Sequence, residues 1–153
     1  MLLQSAAPAA CPAKPVIPAE LAGWTSHRPV TAGATAAQAA PIAIGASART
    51  TLIPAAQATL AVPVTKPPAE ATSAGLLAFT VPAAGRYRVA LGAGAWVEVI
   101  AAGKAVASVA HGHGPACSPV RKMVDFDLQP GRHLLQLSGS AASTLDVAVA
   151  RLR

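Results

Sequence analysis

Proline and glycine break this chain at short intervals from one end to the other. There are 14 prolines and 12 glycines in 153 residues. A helical bundle does not carry that density, because each interior proline removes a helix hydrogen bond and clashes with the preceding turn. The spacing is aperiodic, which excludes a collagen repeat. Short extended segments joined by turns are what such punctuation permits. The wholly apolar stretches run only a few residues, far below the roughly 20 that a membrane-spanning helix requires. No transmembrane segment is expected.

From residue 41 onward the segments between breaks are rich in β-branched and large apolar side chains. Strands are expected at 42–49, 50–53, 58–65, 75–81, 86–91, 95–101, 105–110, 121–128, 133–138 and 144–150. The connections carry turn residues, as in Pro82-Ala83-Ala84-Gly85, Ala102-Gly103-Lys104 and Gln129-Pro130-Gly131. Val124, Phe126 and Leu128 fall on one side of their segment, and Met123, Asp125 and Asp127 on the other. Tyr87, Val89 and Leu91 alternate with Arg86, Arg88 and Ala90, and Leu145, Val147 and Val149 with Thr144, Asp146 and Ala148. That two-residue rhythm belongs to half-buried strands. Short strands spaced by about ten residues point to an all-β fold, an antiparallel β-sandwich that is jelly-roll-like, over residues 41–153. On this reading Asp125 and Asp127 are a solvated strand face and not a catalytic dyad.

Residues 1–40 have a different character. Pro8, Pro12, Pro15 and Pro18 favour extended chain, and Leu21, Trp24 and Val30 are the only sizeable anchors. An extended Ala/Pro-rich N-terminal arm lying against the domain is expected. The run TAGATAAQAA (31–40) has alanine's helix propensity but no large apolar stripe, so a loop or one short turn is expected there. Residues 1–9 lack a basic n-region and a full apolar h-region, yet Leu2-Leu3 followed by small residues reads as the tail of a signal peptide. The only two cysteines are Cys11 and Cys117. They suit a disulfide stapling the arm to the domain, worth about 4–5 kcal/mol in the chain-entropy model; two unrelated buried thiols are the alternative. A periplasmic or secreted protein is expected.

Twelve Lys and Arg against six Asp and Glu give a formal charge of +6. The basic residues are scattered, with only Arg121-Lys122 and Arg151-Leu152-Arg153 tightly grouped, rather than gathered on one stripe with interleaved aromatics. A nucleic-acid partner is therefore not expected. With 39 alanines and five aromatics, the core is poor in bulk.

The strings GRYRVAL, AWVEVIAAGKAV and MVDFDLQPGRHLLQLSG resemble, over about 75–150, the closing strands of carbohydrate-binding-module-like jelly rolls. The strings AHGHGPACSPVRKMVDF and GLLAFTVPAAGRYRVALGAGAW are similar to those of short exported bacterial proteins that go under the label homogentisate 1,2-dioxygenase. The second resemblance implies a cupin-type Fe(II) site of two His and one Glu. His111-Gly112-His113 supplies an H-x-H, and Pro130-Gly131-Arg132-His133 echoes a second motif, but no acidic residue occurs between 99 and 124. The carboxylate of a facial triad is missing at the motif.

Two constellations stand as candidate sites. His111 and His113, at i and i+2, share one side of an extended segment and could hold Cu, Zn, Ni or Fe, with His133 or a reduced Cys117 as further ligand. The other reading is a Gly-rich loop with two exposed histidines. Trp96 and Glu98 share one strand face, as in a sugar-stacking platform, although so aromatic-poor a core leads us to expect Trp96 buried under the arm. The expected function is a non-catalytic accessory or binding module of the cell envelope. It would contact protein or glycan, with self-association through an edge strand; a small metal-binding protein using the His111-Gly112-His113 loop is one alternative, and a metal-dependent dioxygenase, as the second resemblance implies, is another, set back by the missing carboxylate. No cofactor is expected under the first reading.

Overall fold

Alternation in the second half of the chain becomes a two-layer core. In the computed structural model, which describes residues 10–64 and 72–152, every second side chain of the long strands points between two sheets. The strands are β1 (His27–Thr31), β2 (Ala40–Pro41), β3 (Ser47–Thr51), β4 (Ile53–Pro54), β5 (Ser73–Val81) and β6 (Gly85–Leu91). They continue with β7 (Trp96–Ala101), β8 (Lys104–Ala105), β9 (Ala110–His113), β10 (Lys122–Leu128), β11 (Gly131–Ser140) and β12 (Thr144–Arg151). One sheet has the order β1-β3-β12-β6-β10-β9 and the other β2-β5-β11-β7-β8, with β4 paired to β5. The fold is an all-β sandwich.

Leu77 and Phe79 of β5, Tyr87 and Val89 of β6, Phe126 of β10, Leu135 of β11 and Val147 of β12 meet in the main core. Burying a Leu, Val or Phe side chain of this kind contributes about 1.5–3 kcal/mol. The Tyr87 hydroxyl donates to the Ala83 carbonyl at 2.7 Å, which ties the β5–β6 turn to the core.

The two sheets are mixed rather than antiparallel throughout. β1 runs parallel to β3 and β2 parallel to β5, because the chain ahead of residue 42 adds one strand to each sheet. The expected strand at 42–49 is a strand only from Ser47. Residues 42–46 carry the chain from β2 in one sheet to β3 in the other, bending at Gly45, whose φ is +89°. Residues 105–110 likewise pass between sheets, from β8 to β9.

The segment 58–64 lies across the outer side of the second sheet without joining a ladder. Gln136 of β11 takes the place of a partner strand: its Oε1 accepts from the Ala61 and Val62 N–H groups at 2.8 and 3.1 Å, and its Nε2 donates to the Val62 carbonyl at 2.9 Å. Residue 65 of that expected strand, and the expected signal-peptide tail at 1–9, lie outside the described residues.

The N-terminal segment covers the outer face of the first sheet. A short 3₁₀ stretch, Ala19–Thr25, buries Leu21 and Trp24. They pack with Ile17 and Met123 on Ala90, Ala148, Ala150 and Val120. The methyl side chains of Ala90, Ala148 and Ala150 leave room for the indole. The run 31–40 holds a single 3₁₀ turn, Ala36–Gln38, capped by the Thr35 hydroxyl. Cys11 and Cys117 form a disulfide with their Cα atoms 5.4 Å apart, and the Val16 N–H donates to the Cys117 carbonyl at 3.0 Å.

Candidate functional site

β10 sets the first wall of the site. Its core-facing side chains are Val124, Phe126 and Leu128, so alternation turns Lys122 to the same side at the strand's open end. The register pairs Lys122 with His113 and Val124 with His111. Directly opposed residues share a face, so both imidazoles of edge strand β9 lie on the side of Lys122. β7 supplies the facing wall with Trp96 and Val97. Between them opens a groove of about 1040 Å³, whose lining also includes the Gly92–Gly94 turn and residues 114–118.

Two glycines shape it. A Cβ on Gly114 would lie 1.8 Å from the Val120 carbonyl oxygen, so only glycine lets this loop fold back so tightly. Gly139 of β11 has a φ of +65°, and a Cβ there would sit 2.7 Å from Cδ1 of Trp96. The indole therefore lies directly against the backbone of β11. The disulfide at Cys117, itself at φ +61°, fixes the far loop.

Trp96 is 42% exposed, which corrects the expectation that the N-terminal arm buries it. The arm lies on the other sheet and brings its own tryptophan, Trp24. The Lys122 ammonium stands 5.4 Å from the centroid of the Trp96 ring and donates to the Ala95 carbonyl at 2.6 Å. Glu98 lies on the same side of β7 as Trp96, since Val97 and Val99 face the core, but it is not part of the groove lining. Its carboxylate stands 3.5 Å from Nε2 of Gln136. Burial pushes the Glu98 carboxyl above the usual range, against the opposing pull of Gln136 and Lys122. Burial also lowers the Lys122 ammonium, with Glu98 acting in the other direction.

The histidines divide. His111 and His113 are exposed and line the groove. His133 is 4% exposed in the other sheet, stacked on Phe79 with ring centroids 5.7 Å apart, its Nδ1 3.0 Å from the Gly131 carbonyl oxygen. The structure does not bring it to the other two. Cys117 is committed to the disulfide. Among the described residues no group of three or more His, Cys, Asp and Glu side chains is placed to share a metal ion. His111 and His113 thus offer two imidazole donors and no third.

Asp125 and Asp127 are not a uniformly solvated face. Asp127 is exposed and paired with Arg86, which holds its carboxyl below the usual range. Asp125 is 6% exposed. Arg88 donates to both of its oxygens, at 2.8 and 3.0 Å, and also to Glu20 from the arm. The arm's docking buries this carboxylate, and its arginine lies 37 residues away in sequence.

A Ser–His–Asp contact also forms that the order of residues does not suggest. His27 Nδ1 lies 2.6 Å from the Ser47 hydroxyl, and its Nε2 lies 3.6 Å from Asp146. The parallel pairing of β1 with β3 puts His27 beside Ser47. Ser47 is 1% exposed and lies outside the groove. A nucleophile needs access to the carbonyl it attacks; this trio ties together three strands, β1, β3 and β12.

Compared with known proteins, the chain matches no family model and no curated protein sequence. The residues themselves therefore carry the functional reading.

Proposed function

We propose that this protein is a non-catalytic, exported binding module of the cell envelope that holds a glycan in the groove between β7 and β9–β10. The observation that carries the reading is Trp96, a large aromatic side chain left 42% exposed at the mouth of an open groove in a chain with five aromatics. A pyranose ring stacks its apolar face on an indole, and nearby polar groups fix its orientation. His113, Ser108 and Lys122 supply polar groups along the groove. The disulfide and the absence, among the described residues, of a helix long and apolar enough to cross a membrane are compatible with export.

A glycan array run with the intact chain and with Trp96→Ala tests this. The expected outcome is retention of a defined subset of glycans, weakened at least tenfold by the substitution. An array with no retained glycan, or one unchanged by Trp96→Ala, removes the reading.

A further inference from the structure

We propose that the groove selects a carboxylated saccharide, one whose acid group is fixed to the sugar ring as in a uronate, with Lys122 as the anion contact and Trp96 as the platform. This inference rests on the glycan reading above and adds the ligand's charge. The lining holds Lys122, Arg121, His111 and His113, and no carboxylate. Elsewhere the described acidic groups are largely spoken for: Glu20 and Asp125 by Arg88, Asp127 by Arg86, and Asp146 by Arg49. Glu98 acts on Lys122 through charge, but it is not among the residues that line the groove. The groove therefore carries two cationic side chains and no carboxylate beside the uncovered aromatic ring.

Lys122 is built for contact. Its ammonium has three donors, and one is used on the Ala95 carbonyl. That bond and the indole hold the charge beside the ring. A sugar stacked on Trp96 presents substituents of its ring to that ammonium, and a carboxylate gains a charge-assisted hydrogen bond that a hydroxymethyl group does not match. A half-desolvated ammonium favours such a partner further, because the ligand replaces water that the groove already partly excludes.

The test uses the full, disulfide-intact chain and calorimetric titration with oligogalacturonate, its methyl ester and a sulfated oligosaccharide of equal length. Oligogalacturonate is expected to bind about tenfold more tightly than the ester. Lys122→Gln should abolish that preference and Lys122→Arg restore most of it. Arg28→Gln, on β1 at the opposite edge of the same sheet, should leave it unchanged. Equal binding of acid and ester, both lost in Trp96→Ala, overturns the charge selection and leaves the glycan reading standing. Equal weakening by Arg28→Gln shows diffuse charge attraction and overturns it too. A preference for the sulfated probe overturns the carboxylate assignment. Binding of none of the three, together with an empty glycan array, overturns both readings.

Discussion

The two tryptophans sit in opposite circumstances. Trp24, in the Ala/Pro-rich segment, is 2% exposed, whereas Trp96, in the regular part of a sheet, is 42% exposed. Their charged neighbours differ in the same way. Near Trp24, Arg88 is held by two carboxylates; near Trp96, Lys122 makes a hydrogen bond to the Ala95 carbonyl and no salt bridge among the described residues. One region closes the fold with its aromatic and its charge, and the other leaves both facing the groove. Irregular chain is thus the covering layer here, and regular strand carries the candidate surface.

The sharpest way to break that comparison is to delete each indole. Trp24→Ala removes a buried side chain from a pocket of alanines that cannot collapse onto the space, and an unfolding free-energy loss of about 3–5 kcal/mol is expected. Trp96→Ala should cost under about 1 kcal/mol. Urea denaturation of the two variants reads the difference, and similar losses would show that Trp96 is a core residue. The charged pairs give a smaller contrast. Arg88→Met strands a 6% exposed Asp125 as well as Glu20, and a loss of about 2–3 kcal/mol is expected. Arg86→Met breaks an ion pair in water and should leave the urea midpoint where it is. Equal midpoints for these two variants would mean that the N-terminal segment does not shield Asp125.

The long strands of the second half were legible because their side chains differ in size and polarity from one residue to the next. β5, β6, β7, β10, β11 and β12 all fall on expected segments. Between residues 27 and 64 the sequence is harder to read. β1 carries Pro29 and only one sizeable apolar residue, Val30, so nothing local marks it as a strand; it becomes one by pairing with β3. The segment 58–64 alternates Leu60, Val62 and Val64 as a strand would, yet the side-chain amide of Gln136 supplies its hydrogen bonds in place of a neighbouring backbone.

The candidate site divides along the same line. The shared side of His111 and His113 follows from their spacing, and so does that of Trp96 and Glu98. That Lys122 joins the histidines depends on the β9–β10 register, and that Trp96 stays uncovered depends on which sheet the arm lies upon. Both are facts about contacts between distant parts of the chain.

A small effect is also expected at Glu98, which acts through charge on the groove's Lys122. Burial raises the Glu98 carboxyl above its usual range, so folding disfavours its ionised form. Its contribution to stability is fully present below the unfolded-state value of about 4.3 and is lost as pH rises through the higher folded-state value. Glu98→Gln keeps the shape and removes the titration. At pH 4 the native chain and the variant should have matching urea midpoints, and by pH 7 the variant should be the more stable. The attraction of Lys122 opposes this gain, but burial is the larger influence on Glu98. A variant less stable than the native chain at pH 7 would reverse that ranking. Glu98 would then be the committed partner of Lys122, and the region around Trp96 would be as internally satisfied as the one around Trp24.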